Sequence, residues 1–271
     1  MTEITGHYVD VDGTRIYYEE CGEGIPLFCI HTAGACSIEY YEFLPIMADN
    51  GFHAIAVDLP GHGKSYPVNW EPFREMHEYA EFVWRIIEEV CEDKPVVAGC
   101  SIGGNMVTDM ACHHSDDMRA ALALEGAAYT PTFPNVNVYE HPHACPGWRD
   151  IMERAAEQSM YRPVPEEKIT ETRWMHRYAP QEIATGDLQC WVNHDVRARL
   201  GDITCPFLNF KGEADFYVPE ERMEETIEGI ADDLGEMVIG EKMGHYPMFE
   251  DPAGLADVCM DFLKDKNVVE E

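Results

Sequence analysis

The stretch Gly99-Cys100-Ser101-Ile102-Gly103 decides how this chain folds. It follows the apolar run 95–98 and leads into a helical pattern that ends at His114. A G-x-S-x-G sequence between a buried strand and a helix puts its serine on a tight, strained turn. The small glycines permit the close chain approach that such a turn needs. The hydroxyl of Ser101 is therefore expected at the carboxyl edge of a sheet, where open α/β sheets place their ligands.

Short apolar runs at 15–20, 26–30, 54–57, 95–98, 120–124, 206–210 and 237–239 read as strands. Helical patterns lie between them at 37–49, 76–90, 102–114, 220–230 and 252–263, the first with Ser37 as its cap. In the clearest helix Tyr79, Phe82, Val83, Ile86, Ile87 and Val90 form one apolar stripe. This alternation predicts an α/β fold with a mostly parallel central sheet and helices on both faces. The alternation stops between 128 and 204, where a proline-rich loop precedes helical patterns near 148–160 and 166–178. The expected organisation is a core of residues 1–127 and 205–271 with an inserted helical lid at 128–204.

Acidic residues number 51 against 19 basic, for a formal charge of −32 over 271 residues. Such a field repels nucleic acid and anionic membrane, so neither is expected as a partner. The charge avoids the middle of the chain: residues 128–200 hold ten acids and eight bases. No run is long and apolar enough for a membrane span, and residues 1–12 lack the basic and apolar regions of a signal peptide. Ten cysteines form no C-x-x-C pair and no zinc-ligand spacing. Free thiols in a reducing cytoplasm account for them most simply.

A serine hydroxyl needs a base, and the base needs an orienting acid. On this fold they follow in the order serine, acid, histidine, in loops after later strands. Asp215 in Lys211-Gly212-Glu213-Ala214-Asp215 follows one such strand, and His245 in Met243-Gly244-His245-Tyr246 follows the next. Alone, Asp215 reads as a turn residue and His245 as a surface histidine; their order and strand-end placement favour catalysis. Glu125 ends the strand at 120–124 and is the alternative acid; Glu213 is less well placed. An oxyanion needs two N–H donors. The candidates are the amides of Ile102 and of Ala33, with Gly34 as the fallback, in His31-Thr32-Ala33-Gly34-Ala35.

These marks, with Asp58-Leu59-Pro60-Gly61-His62-Gly63-Lys64-Ser65, resemble the α/β-hydrolase superfamily from about Ile25 to Leu263, less the lid. Thr32 stands where such enzymes usually carry glycine. The resemblance implies that the segment from Asp58 to Ser65 is a structural loop near the pocket. It also carries the case for Glu125, because some members, among them fungal-type zearalenone lactonases, take their acid from this strand end. The expected activity is that of a cofactor-free serine hydrolase acting on an ester or lactone of a small, partly apolar substrate through an acyl-enzyme. Hydrolysis of a carbon–carbon bond beside a ketone, or slow-turnover ligand sensing, is the alternative.

Trp148, Trp174 and Trp191 in the lid, with Phe216 after the acid, are candidates to line the substrate pocket, although they could equally pack the lid onto the core. Arg149, Arg154, Arg162, Arg173 and Arg177 could hold a substrate carboxylate, but charged helix faces are usually solvated. His141 and His143 read as a polar loop, and His113-His114 as a helix end. No metal site, phosphate-binding glycine loop, nicotinamide fingerprint or pyridoxal phosphate site is expected.

Overall fold

The computed structural model describes residues 3–131, 145, 147–161 and 163–270. Its strands are β1 (Thr5–Val11), β2 (Thr14–Cys21), β3 (Ile25–Ile30), β4 (Phe52–Val57), β5 (Val96–Cys100), β6 (Ala120–Leu124), β7 (Phe207–Gly212) and β8 (Gly235–Gly240). They form one sheet in the order β1-β2-β4-β3-β5-β6-β7-β8. β2 runs antiparallel to both β1 and β4, and every other neighbouring pair is parallel. The helices are α1 (Phe43–Asp49), α2 (Met76–Val90), α3 (Ile102–His114), α4 (Trp148–Gln158), α5 (Glu166–Tyr178), α6 (Gln181–Val192), α7 (Glu220–Glu228), α8 (Pro247–Glu250) and α9 (Pro252–Asp265).

Strand alternation divides the apolar side chains between two faces. Phe28, Ile30, Ile55, Val57 and Val97 pack with α2 and α3. Leu27, Cys29, Ala54, Ala56, Val96, Ala98 and Cys100 pack with α1 and α9. A parallel sheet buried on both faces needs such continuous apolar strands. The chain leaves the sheet after β6, runs through α4, α5 and α6 as a cap, and returns. An antiparallel bridge between Tyr129 and Asp195 joins the outgoing and returning segments.

The structure differs locally from the sequence expectations. β1 is additional; it joins β2 through Asp12-Gly13, both at positive φ (51° and 80°), which is the turn chemistry of a tight hairpin. The helix expected over 37–49 is broken into a 3-10 turn, Ser37–Tyr40, and α1. Ser37 does not cap: its hydroxyl donates to Glu19 at 2.9 Å and its N–H to Asp58 at 2.8 Å. Pro45 falls in the first turn of α1, where its missing N–H costs nothing. The cap has a third helix, α6, beyond the two expected.

Two buried acids fix the loop after β3 that carries Thr32, Ala33 and Gly34. Glu39 accepts from the Thr32 N–H at 3.0 Å and the Thr32 hydroxyl at 2.8 Å. Asp187, on α6, accepts from the Gly34 N–H at 3.0 Å and pairs with His62 Nε2 at 2.8 Å. Ile183 and Ala184 of the same helix pack on Gly61 and Gly34. The cap is thus tied by polar and apolar contacts to two core loops. For His62, burial disfavours the charged ring, but Asp187 outweighs it and raises the pKa.

Removing one partner of a buried pair costs about 3–5 kcal/mol because the other is left uncompensated. Asp187→Ala is expected to destabilise the protein by about that amount, read by urea unfolding. A change of less than about 1 kcal/mol would mean that the pair does not anchor the cap. Glu39 gives a pH test. Burial lifts its pKa from 4.5 to about 8, against the hydrogen bonds from Thr32. Between those values the folded chain holds a proton that the unfolded chain has lost, so stability falls as pH rises. Glu39→Gln removes this dependence, and its thermal midpoint relative to wild type is expected to rise from pH 5 to pH 8. An unchanged difference would contradict it.

Candidate active site

Ser101 lies between β5 and α3 with φ 58° and ψ −116°, a conformation that costs free energy for a residue with a Cβ. The surrounding contacts impose it. A Cβ on Gly99 would lie 2.4 Å from the Gly103 carbonyl oxygen, and one on Gly103 would lie 2.4 Å from that of Ile30. Only glycines let the strand, the helix start and β3 approach this closely. The Ser101 N–H donates to Leu124 O at 2.9 Å, which ties the turn to β6.

Asp215 lies three residues beyond β7, in a turn closed by its own N–H on Gly212 O at 3.0 Å. Its carboxylate accepts from the N–H groups of Tyr217 (2.8 Å) and Val218 (3.2 Å). Asp215 Oδ1 also meets His245 Nδ1 at 3.1 Å, with both side chains buried. Burial pushes the Asp215 pKa up, but the His245 ring and its hydrogen bond outweigh that and hold it at about 2. The buried ammonium of Lys211 donates to the carbonyls of Asp215 (3.1 Å) and Val218 (2.8 Å) and braces the turn.

Glu125, the first residue after β6, is fully buried at φ 49°. Its Oε1 accepts from the Gly212 N–H at 2.6 Å. Its Oε2 receives no hydrogen bond among the described residues, and the carboxyl lies against Asp215. Burial first, and the Asp215 charge second, push its pKa well above the carboxylate range. The two shifts run in opposite directions, favouring the protonated form of Glu125 and the ionised form of Asp215.

Ser101, His245, Ile102 and Ala33 line one cavity of about 620 Å³. The Ser101 hydroxyl makes no hydrogen bond among the described residues. The amides of Ala33 and Ile102 have no acceptor among these residues either, and Ile102 opens α3, where helix N–H groups are free. The N–H of Gly34, the fallback donor, is committed to Asp187.

Trp148, Trp191 and Phe216 line the cavity. Trp174 does not: it projects from α5 beside Tyr178 and is 57% exposed. Its helix turns that face to solvent. Arg173 pairs with Glu157 at 2.9 Å and Arg177 with Glu153. His141, His143 and Arg162 lie outside the described residues. Tyr217, which follows the acid beside Phe216 and was expected to reach the same cavity, lines it too, whereas His176, Tyr246 and Arg222 line it without having been singled out. His176 is neutral, its pKa lowered to about 4 by burial. Among the described residues, His77, Asp109 and His113 also gather metal-capable atoms, away from this cavity. Hydrogen bonding accounts for that group, with His77 Nδ1 2.8 Å from Asp109 Oδ1 and His113 Nδ1 2.8 Å from the Asp109 carbonyl oxygen. No described helix is long and apolar enough to cross a membrane.

Comparison with known proteins agrees with this architecture. The pimeloyl-[acyl-carrier protein] methyl ester esterase of Photobacterium profundum is 23% identical over 93% of this chain and 99% of its own length. The enol-lactonase of Burkholderia xenovorans LB400 superposes with a TM-score of 0.85 at 17% identity, covering 95% of this chain and 100% of that one. An esterase from Exiguobacterium antarcticum gives 0.85 at 20% identity, over 96% and 100%. The model of the alpha/beta hydrolase family matches residues 27–258, and with the sheet order, the strained serine turn and the cap, this chain belongs to that family.

Proposed function

We propose that this protein is a serine hydrolase that cleaves an ester or lactone bond of a small, partly apolar substrate through an acyl-enzyme. The observation that carries the reading is the buried Asp215–His245 contact of 3.1 Å beside the strained Ser101, all at the carboxyl edge of the sheet. Asp215 holds the Nδ1–H of His245, which leaves Nε2 to accept a proton. The serine hydroxyl transfers its proton there as it attacks the substrate carbonyl, a contact that active sites often tighten only around substrate. The amides of Ala33 and Ile102 receive the oxyanion. His245 then protonates the leaving group and activates the water that frees the acyl group. No step calls for a cofactor. The relatives named as esterase and lactonase support this substrate class.

Glu125 is a neutral donor to the ionised acid in this reading. The test is a comparison of Asp215→Asn with Glu125→Gln on an activated aryl ester. Asp215→Asn is expected to lower kcat by on the order of 10³–10⁴-fold, because the histidine loses its tautomer and its counter-charge. Glu125→Gln, which retains a donor and an acceptor, is expected to cost less than about tenfold. The reverse ranking would make Glu125 the acid. A fluorophosphonate that labels wild type but not Ser101→Ala would identify the nucleophile. Stabilisation by an ester with no product burst would favour a binding protein instead.

A further inference from the structure

Among the described residues, Arg222 is a cation without an ion-pair partner. It stands in the first turn of α7, half-buried, and lines the same cavity as Ser101 and His245. No carboxylate among the described residues comes within ion-pair distance of its guanidinium. Its single protein acceptor there is the Tyr217 carbonyl, at a long 3.5 Å. The Tyr129 ring lies 6.0 Å away, too far for a strong cation–π contact. Burial lowers its pKa, and this outweighs the opposing effects of Tyr129 first and then of Asp215, Glu221 and Glu225.

In a chain with 51 acidic and 19 basic residues, an arginine has many available partners. The cap arginines Arg173 and Arg177 use theirs. A half-buried guanidinium without one pays for lost hydration, a cost that a bound anion would recover. Its place matters as well. The Tyr217 ring packs 4.7 Å from that of His245, so Arg222 is joined to the base through one residue. The other cavity walls are largely apolar and aromatic, among them Trp148, Trp191 and Phe216, and His176 is neutral.

Resting on the hydrolase reading above, we propose that the substrate carries a carboxylate, which Arg222 binds while the scissile carbonyl lies against Ser101. One guanidinium matches one monoanion. Its planar fork suits the two oxygens of a carboxylate, whereas a phosphate dianion would call for further donors. The substrate class is then a half-ester of a dicarboxylic acid, or a lactone bearing an acid group.

The test uses a matched pair, the monomethyl ester of an aliphatic dicarboxylic acid and the methyl ester of the monocarboxylic acid of equal chain length. Arg222→Gln is expected to lower the ratio of their kcat/KM values, acid-bearing over neutral, by about 10- to 100-fold, the worth of a charge-assisted hydrogen bond. Arg222→Lys is expected to fall between, keeping the charge and losing the fork. A ratio unchanged by Arg222→Gln would overturn the proposal and leave the hydrolase reading intact. If wild type cleaves neither ester, that reading fails, and binding decides this one. Ser101→Ala protein is titrated with both esters, and Arg222→Gln in that background must weaken binding of the acid-bearing ester alone by at least about tenfold. Equal affinity with and without Arg222 overturns the proposal.

Discussion

Two carboxyl groups packed together in a dry interior cannot both be charged, and the site is organised around which of them is. Asp215 receives three N–H groups, two from its own turn and one from His245. Glu125 receives one, from Gly212. The better-solvated acid ionises and the poorer one keeps its proton. On the proposed assignment, a single negative charge sits beneath the imidazole with a neutral carboxyl behind it. The strands set this difference: Glu125 follows β6 at once, whereas Asp215 has three residues in which to turn its oxygens toward backbone donors.

The same economy governs the loop after β3. Glycine is usual where Thr32 stands in sequences of this kind, and the replacement is accommodated by giving both Thr32 donors to Glu39. The next amide, that of Ala33, remains without an acceptor among the described residues, and the one after it is taken by Asp187. Donor assignment along three consecutive residues thus selects which N–H can face a substrate. The selection depends on a cap residue 153 positions away in sequence.

What could be read from the chain alone was whatever local chemistry specifies. The strained turn at Ser101 shows in its glycines, and Asp215 and His245 show in their position after apolar runs. The α2 stripe shows in its period and is buried from Tyr79 to Ile87, with Val90 half-buried at its end. Features set by distant contacts stayed hidden. α6 is buried on most of its surface, so it lacks the one-sided apolar pattern that marks a surface helix. Arg222 lies in Glu-Glu-Arg-Met-Glu-Glu, which reads as a solvated face, and only the fold brings it to the cavity. Trp174 fails in the opposite sense: the residue type suggested a wall, and the helix phase pointed it outward.

Cys100 is the immediate neighbour of Ser101, yet strand alternation sends its side chain into the core formed with α1 and α9. There its thiol donates to the His245 carbonyl oxygen at 3.5 Å, and burial pushes its pKa well above the ordinary thiol range. Sulfur is intrinsically the stronger nucleophile, but it is present here only as an unreactive, enclosed SH. An electrophile in the cavity therefore meets oxygen first. Oxidants and alkylating agents that disable thiol enzymes should leave this residue untouched, so that chemical selectivity between adjacent side chains comes from the direction each one points.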